Sequence, residues 1–446
     1  MARMRTNMAS YNIVEFGAIG DAHTNDAPAI QKAIDSCSTS GGGKVVLAAG
    51  KTFLAGTLVL KSNVEIHVER GATLLASGKA TDFQKDPAWK FGEAFITANG
   101  AQNIAFTGGG TIDGNGRAFV AEDLGYIYVM KEGRPFTFYL VGCSNVTMHD
   151  VVVRDGAHWT VRFSGCRDVV IDAVRIFNDL KLPNSDAIDL DHCQNVRVAN
   201  CHIEAGDDCI CLKARPEHAG LGPCENITVT GCTLVSTSAA LCIGCEACEP
   251  IRDVVFDSCV IRNSHRGLII HLSHEADVDN VIFSNMIVET RLFHDKWWGR
   301  GEPIYVVALP WTAQDRIGRI RNVRITNILA RSENGVVIEG FAKDRIENIL
   351  LENVRVELNK TSKHAGGRQD FRPCPGIEMP ERPTSGFMIH QATNVTLRHC
   401  EVAWGPDRPD YYHHALWARH VDRLKLEDLQ GESAHPDRMP AISMNE

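Results

Sequence analysis

The sequence has little of what membrane proteins and nucleic-acid-binding proteins need. Its 446 residues contain no long apolar run, and 46 Lys and Arg are outnumbered by 55 Asp and Glu, which gives a formal net charge of −9. A chain without a basic footprint is a poor match for nucleic acid or an anionic membrane, so we expect neither partner. An acidic sugar is still compatible with this charge, because a uronate needs only one or two local cations.

The N-terminal segment lacks the apolar region of a secretory signal. Residues 1–11 carry Arg3 and Arg5, but no hydrophobic stretch follows them. Fifteen cysteines, an odd number, suit buried thiols better than a disulfide framework in so long a chain. These observations favour a cytoplasmic protein. We expect no cofactor, and the oligomeric state is left open.

One short phrase recurs along the chain: Asn or Asp, an apolar residue, and then the alternation of a β-strand. Its starts from Asp168 to Asn280 lie 27, 31, 27 and 27 residues apart. Such a period is typical of a solenoid, in which each coil buries its apolar face against its neighbours. The phrase begins at Asn63, Asn103, Asn145, Asp168, Asn195, Asn226, Asp253, Asn280, Asn322, Asn348, Asn394 and Asp422.

Cysteines follow the same register, which predicts two internal ladders of stacked thiols that pack the interior. Four stand two residues before a phrase start and four stand six residues after one: Cys143, Cys166, Cys193 and Cys224, then Cys201, Cys232, Cys259 and Cys400.

Other segments interrupt the repeat. The run from Asn25 to Ser38 has helical periodicity and is expected to cap the N-terminal end of the solenoid, with Ala29, Ile30, Ala33 and Ile34 on one face. Long gaps at 282–320 and 355–393 are expected to be loops that form cleft walls. No linker is evident, so we expect a single domain over 1–446, with the ordered solenoid starting near residue 12.

Acidic side chains concentrate on two consecutive coils. Asp186 ends an Asn-Ser-Asp run, and Asp207 and Asp208 follow Gly206 about one coil later, 21 residues on. Two carboxylates near one groove raise at least one pKa by mutual repulsion, which supplies the acid and the base that glycoside hydrolysis requires. A lone Asp is more simply explained as a turn residue, as Asp189 or Asp191 would be. The clustering favours catalysis.

Several motifs occur in order over most of the chain. They are Phe16-Gly17-Ala18, Gly20-Asp21, Asn25-Asp26, the run from Ala29 to Ile34, Gly41-Gly42-Gly43, the run from Gly110 to Gly114, Arg134-Pro135 and His158-Trp159-Thr160. With the Asp motifs, they resemble glycoside hydrolase family 28, the polygalacturonases and their relatives. The resemblance implies an all-β fold, a right-handed parallel β-helix. It also implies an inverting hydrolase in which Asp207 is the general acid and Asp186 and Asp208 activate water.

Two family motifs are missing. Ser238-Ala239-Ala240 stands where the family has Gly-His-Gly, so the histidine thought to tune the acid is lost. In place of the Arg-Ile-Lys element that grips a galacturonate carboxylate, this chain has Ile269 and His271. Replacement substrate-binding residues are expected among Lys213, Arg266 and His271, with Arg215 as a further candidate. Such side chains are more often solvated or locally paired than bound to substrate, although the motif position of His271 favours a role in binding.

A Trp-Trp-Gly-Arg-Gly-Glu run marks one predicted loop. Trp297 and Trp298 offer indole faces for sugar rings, and Arg300 and Glu302 offer polar contacts. Subfamily relatives with such a loop are similar to exo-acting enzymes on pectic side chains. The alternative is a loop that simply packs on the solenoid.

Three cysteines, Cys242, Cys245 and Cys248, are spaced like metal ligands. No fourth ligand follows at the right spacing, so we expect no metal site there. The sequence thus favours an inverting glycoside hydrolase that is exo-acting on pectic or related oligosaccharides, derived from galacturonides or rhamnogalacturonan. A β-helix polysaccharide lyase or epimerase and a non-catalytic carbohydrate-binding solenoid stay as alternatives.

Overall fold

The structure, a computed structural model, describes residues 9–85, 92–312 and 314–445. Arg3 and Arg5 of the N-terminal segment lie outside these residues. The chain divides into two compact units: one holds the residues up to Asp189 together with Cys193–His202, and the other holds Leu190–His192 and the residues from Ile203 onward. The predicted single domain stays a prediction, and each unit is described by itself.

The first unit contains the helix α1 (Ala27–Thr39) and most of the short strands. Its strands are β1 (Ser10–Asn12), β2 (Asp21–Asn25), β3 (Gly43–Leu47), β4 (Thr52–Ala55), β5 (Leu58–Val59), β6 (Val64–Val68), β7 (Thr73–Ala76), β8 (Ala94–Asn99), β9 (Gln102–Thr107), β10 (Thr111–Asp113), β11 (Val120–Asp123), β12 (Tyr128–Met130), β13 (Phe136–Val141), β14 (Ser144–His149), β15 (Val152–Arg154), β16 (Val161–Ser164), β17 (Arg167–Asp172), β18 (Arg175–Phe177) and β20 (Gln194–Ala199).

The second unit contains the longer strands. They are β22 (Ile210–Ala214), β23 (Cys224–Thr230), β24 (Thr233–Ser236), β25 (Ala239–Ala247), β26 (Ile251–Asp257), β27 (Val260–Ser264), β28 (Arg266–Leu272), β29 (Val278–Thr290), β30 (Ile304–Ala308), β31 (Ile320–Ser332), β32 (Val336–Gly340), β33 (Ile346–Leu358), β34 (Phe387–Trp404), β35 (Leu416–Gln430) and β36 (Ile442–Asn445). Strands β19 (Ile188–Asp191) and β21 (His202–Ala205) carry residues of both units.

Nearly all strands of the described residues run in parallel ladders; β11 and β12 form an antiparallel ribbon. In the first unit, β8, β13 and β16 make one ladder and β9, β14, β17 and β20 make a second. In the second unit, β29, β31 and β33 pair in parallel over most of their length. Each unit is therefore a stack of coils, as the repeat predicts.

The recurring Asn or Asp is a turn residue within each coil. Asn103 and Asn145 have φ of 57° and 53°, in the left-handed region that Asn tolerates better than other side chains. Asn145 Nδ2 donates to Asn103 Oδ1 at 2.8 Å, and Asn103 donates in turn to Asn63 at 2.7 Å. The phrase therefore combines backbone geometry with a side-chain ladder that runs from coil to coil.

Replacing Asn145 by alanine is expected to lower the free energy of unfolding by about 1–2 kcal/mol, because a Cβ without a local hydrogen bond disfavours positive φ. Asn145→Gly should cost less, since glycine adopts this conformation freely. Urea unfolding of both variants checks this. Equal losses for alanine and glycine would mean that the side-chain ladder, not the backbone, carries the effect.

The thiol ladders are confirmed as packing. All eight predicted ladder cysteines are buried, with exposures of 0–3%, and the fifteen cysteines, all within the described residues, are thiols and not disulfides. Burial raises the pKa of Cys166 well above its usual range, so this thiol is an apolar filler. Helix α1 is also confirmed, and it buries Ile30, Ala33 and Ile34.

The predicted extent of the two loops is wrong. Strand β29 runs into 282–320 and strand β30 lies within it, and strands β33 and β34 run into 355–393. The loops are shorter, at 291–303, 309–319 and 359–386. The physical reason is a second left-handed residue, as at Asn285 and Asn353, which lets one long strand bend onto the next face without a loop.

No helix among the described residues is long and apolar enough to cross a membrane.

Candidate active site

Asp186 lies in the first unit on a tightly held segment before β19. Its side chain is 4% exposed, and its carbonyl accepts a hydrogen bond from Thr160 N at 2.7 Å. Asn178 Nδ2 donates to Ser185 O at 2.8 Å, which fixes the neighbouring residue. Thr160 belongs to the His-Trp-Thr element, so that motif helps to position the backbone of Asp186.

Arg134 clamps the same segment. One guanidinium nitrogen, Nη1, donates to Pro183 O at 2.6 Å and to Ala157 O at 3.2 Å, and Nη2 donates to Asn184 Oδ1 at 2.8 Å. A planar fork with several donors suits this arrangement. The Arg-Pro motif therefore has a positioning role two residues from Asp186.

Removing this clamp should impair chemistry more than binding. We expect Arg134→Ala to lower kcat about 10- to 100-fold, because small displacements of a catalytic group are costly, with little change in KM. Lys131→Ala is the matched control, since the Lys131 side chain is a cation whose Nζ donates to Ala118 O at 3.0 Å, outside the 183–186 segment. A raised KM with unchanged kcat would instead make Arg134 a substrate ligand.

The Gly-Asp-Asp turn lies in the second unit and is held by β24 and the residues that follow it. Ser236 Oγ donates to Asp207 O at 2.6 Å, and Thr237 Oγ1 donates to Gly206 O at 2.8 Å. Ala239 N donates to Asp208 Oδ1 at 3.1 Å, which aims a carboxylate that is only 8% exposed. The segment that lacks the family histidine therefore still supports the two aspartates.

Arg266 approaches Asp208 from β28. It pairs in register with Ala239, whose small side chain leaves room beside it. Burial disfavours the charged guanidinium, but the carboxylates of Asp208, Glu302 and Asp370 outweigh that effect and raise the pKa of Arg266. Arg266 is thus a firmly protonated cation next to a candidate catalytic carboxylate.

Lys213 and Arg215 are locally paired. Lys213 Nζ donates to Gly244 O at 3.1 Å and lies 3.6 Å from Glu246 Oε2. Arg215 forms ion pairs with Glu217 and Glu246. These contacts favour the structural alternative for both side chains, because the carboxylates of Glu246 and Glu217 already offset their two charges. Asp191 is likewise a structural residue, since its Oδ1 accepts from Arg215 N at 2.9 Å.

His271 and Ile269 lie where the family has its cationic element. Ile269 is fully buried in an apolar cluster. His271 is 6% exposed, and its Nδ1 lies 3.3 Å from Cys245 Sγ. Burial, together with the nearby Arg266 charge, lowers the pKa of His271 to about 4. His271 is therefore neutral near neutral pH and cannot replace a cation there, although it keeps a hydrogen-bonding role.

This lowered pKa predicts an acid sensitivity. Between pH 6.5 and 4 the unfolded chain binds a proton at His271 and the folded chain does not, so stability falls as pH falls. His271→Asn should remove this loss, amounting to about 3 kcal/mol at pH 4 relative to pH 7. Urea unfolding at several pH values measures it, with the exposed His420→Asn as control. An unchanged pH dependence in His271→Asn would contradict the assignment.

The Trp-Trp-Gly-Arg-Gly-Glu run joins a second loop, 359–386. Gly299 N donates to Asp370 Oδ2 at 2.6 Å, and Arg372 Nη2 donates to Trp297 O at 2.6 Å. The Arg372 guanidinium lies 4.7 Å from the centre of the Trp298 ring, which is itself 39% exposed. The two loops therefore form one wall.

Several buried polar atoms of this wall can still form hydrogen bonds. Within the described part of the chain, Arg300 Nε and Nη1, Trp297 Nε1 and Glu302 Oε1 are buried and have no hydrogen-bond partner. Burial also raises the pKa of the Glu302 carboxyl. Such groups are costly to bury unless a ligand or water satisfies them, which is the pattern of a binding site.

Three side chains of this region were not predicted from the sequence. Asp370 and Arg372 bond to each other within the 359–386 loop, from Arg372 Nε to Asp370 Oδ1 at 2.7 Å, and each also bonds to the backbone of the Trp-Trp-Gly-Arg-Gly-Glu run. Tyr305 Oη donates to Asp370 O at 2.7 Å. The gap in the repeat was the only sequence signal for these residues. It predicted a loop that forms a cleft wall, but it did not identify individual side chains.

Comparisons with known proteins agree on one family. The model of Glycosyl hydrolases family 28 matches residues 37–367. A probable polygalacturonase from Vitis vinifera is 28% identical over 378 residues, which cover 79% of this chain and 75% of that protein. An endo-polygalacturonase from Pectobacterium carotovorum subsp. carotovorum is 26% identical over 74% of this chain and 84% of its own.

Solved structures agree on the fold. The family 28 exopolygalacturonase of Yersinia enterocolitica matches with a TM-score of 0.72 at 20% identity, covering 94% of this chain and 78% of that one. The predicted fold class, a right-handed parallel β-helix, is confirmed. Both endo- and exo-acting relatives occur among the matches.

Proposed function

The chain belongs to glycosyl hydrolases family 28 and is an O-glycosyl hydrolase. We propose that it removes terminal sugars from pectic oligosaccharides with inversion. Asp207 is assigned as the general acid, and Asp186 and Asp208 as the carboxylates that activate water. Galacturonides and rhamnogalacturonan fragments are the proposed substrates.

One observation carries the assignment of the aspartates. The Gly206–Asp208 turn lies inside the matched family region and is held at three points by the next coil. Catalysis of this kind needs carboxyl groups fixed in direction, with one donating a proton to the leaving oxygen and another accepting a proton from water. Bonds from Ser236, Thr237 and Ala239 supply that rigidity.

Arg266 supports an acidic sugar as substrate. The family's usual cationic pair is replaced by Ile269 and a neutral His271, yet Arg266 supplies a protonated guanidinium beside Asp208. Guanidinium groups bind carboxylates with two parallel hydrogen bonds. Arg300, with two spare donor atoms, and Glu302, with a spare acceptor, would contact further polar groups of the sugar.

The covering of one column of side chains supports exo action. Cys211, Cys242, Ile269, Tyr305, Val337 and Met388 lie in register on successive strands, and we call them the Cys211–Met388 column. Phe371 and Cys374 of the 359–386 loop pack onto this column. We infer that a loop packed onto this column obstructs the passage of a continuing polymer and favours binding of a chain end.

Product analysis tests this proposal. Galacturonan and rhamnogalacturonan oligosaccharides, labelled at the reducing end, would be incubated with the enzyme and resolved by chromatography over time. We expect one released sugar at every time point and a ladder that shortens by single units. A mixture of mid-length products from the start would contradict exo action, and an unsaturated product absorbing in the ultraviolet would indicate lyase chemistry instead.

A further inference from the structure

Two thiols and a candidate catalytic carboxylate converge in the second unit. Cys211 and Cys242 are partners in register on β22 and β25, with exposures of 0% and 4%. One oxygen of the Asp208 carboxylate and the two Sγ atoms lie within 4.8 Å of one another. This set differs from the Cys242, Cys245 and Cys248 run, because Cys245 Sγ instead contacts His271 Nδ1 at 3.3 Å.

This combination distinguishes Cys211 and Cys242 from the ladder cysteines. In the part of the chain that the structure describes, they are the one pair of thiols that groups so closely with a carboxylate. The ladder cysteines fill the interior of the coils. Cys259, for example, is 1% exposed and its Sγ donates to Asp257 O at 3.3 Å.

The geometry suits a tetrahedral thiophilic ion. Zinc binds thiolate at about 2.3 Å and carboxylate oxygen at about 2.0–2.2 Å, so its ligand atoms lie roughly 3.5–4 Å apart. Neighbouring strands are about 4.8 Å apart, and small side-chain rotations therefore suffice to close the set. The Asp208 carboxylate is already oriented by Ala239 N at 3.1 Å, as metal ligands commonly are by a surrounding hydrogen bond.

Nearby charges fit the bound state. Two thiolates and a carboxylate around a divalent ion carry one net negative charge, and the Arg266 guanidinium beside Asp208 lies close enough to offset it. Binding would release the two thiol protons to solvent as the two sulfur–metal bonds form.

We propose that Asp208, Cys211 and Cys242 bind a thiophilic divalent cation such as Zn²⁺ or Cd²⁺, and that its binding inhibits hydrolysis. The fourth coordination position is left for water or a substrate oxygen. Inhibition follows because Asp208 cannot coordinate the ion and activate water at once. This inhibitory consequence rests on the proposed function, whereas the binding does not.

Cobalt serves as the spectroscopic probe for binding. The full-length, metal-free protein would be titrated with Co²⁺, and we expect a thiolate-to-cobalt charge-transfer band in the near ultraviolet that Zn²⁺ displaces. Cys242→Ser and Cys211→Ser should lose the band, and Cys259→Ser, the matched control from an internal ladder, should keep it. Circular dichroism checks that each variant is folded, and Cys242→Ala replaces Cys242→Ser if the latter is not.

A wild-type protein without the band would overturn the site, as would a band that persists when both Cys211 and Cys242 are replaced.

Inhibition of hydrolysis is tested separately. Zn²⁺ should abolish hydrolysis reversibly with a chelator, and Cys242→Ser should need at least about 10-fold more Zn²⁺, because loss of one metal ligand weakens binding strongly. Full activity at Zn²⁺ levels that saturate the cobalt site would overturn inhibition while leaving binding intact. Absence of any hydrolysis would refute the proposed function and would not alter the spectroscopic result.

Discussion

Asp207→Asn is expected to lower kcat by about 10³-fold on any oligosaccharide that the wild type cleaves, because asparagine cannot donate a proton to the leaving oxygen. The KM should change little, since the amide keeps the size and the acceptor oxygen of the carboxyl group. Initial rates measured over a range of substrate concentrations separate the two effects.

The matched control is Asp253→Asn in the second unit. Asp253 has φ of 57° and accepts a bond from Asn280 Nδ2 at 3.0 Å, at a repeat position where other coils already carry Asn. Its activity should equal that of the wild type. If Asp207→Asn retains more than about a tenth of the wild-type kcat, general acid catalysis by Asp207 is wrong, since such a group contributes at least about 10²-fold.

Arg266→Ala is expected to lower kcat/KM by about 10²–10³-fold, because a preorganised cation next to the reacting groups is lost. The protein should also be less stable, since Asp208, Glu302 and Asp370 then lose a shared counter-charge. Arg266→Lys keeps the charge but not the two-pronged hydrogen bonding, so its kcat/KM should lie between those of the wild type and Arg266→Ala.

Arg252→Ala controls for the loss of a surface arginine. Arg252 Nε lies 2.7 Å from Glu225 Oε2 with its side chain 47% exposed, and such a pair contributes little. Activity should be unchanged in this variant. An equally active Arg266→Ala protein, folded by circular dichroism, would remove Arg266 from the site. If Arg266→Ala keeps its activity on neutral sugars and loses its activity on uronates, Arg266 binds the carboxylate of the substrate.

Much of the fold was predictable because it depends on short sequence patterns that recur in each coil. The Asn phrase fixes a left-handed turn in each coil, and cysteines at constant offsets from it must stack if the coils stack. Strand bounds were less predictable. A second turn residue such as Asn285 or Asn327 continues a strand around a corner, and the gap after Asn280 therefore looked like one long loop.

The candidate site was predictable where the chemistry is local in sequence. Asp186 and the Asp207-Asp208 pair stand in short motifs, and Arg266 stood among the candidate cations. The wall was not predictable, because its bonds join residues far apart in the chain, such as Gly299 and Asp370, 71 residues apart. Repeat patterns carry no information about which loops meet.

The charge of His271 could not be predicted from its position in the family motif. Its position in the motif suggested a cation, but burial lowers its pKa to about 4 and leaves it neutral. Ionisation depends on the surroundings of a side chain, which a motif does not record. Cytoplasmic location and the roles assigned to the site residues stay predictions.

The stereochemistry of the first product tests the central claim most directly. Wild-type enzyme and a cleaved pectic oligosaccharide would be followed by proton NMR from the first minutes, before the released sugar mutarotates. We predict that the sugar appears first as the anomer opposite to the bond that was cleaved, as direct attack by an activated water requires. First appearance of the same anomer would mean a covalent intermediate and would contradict the account.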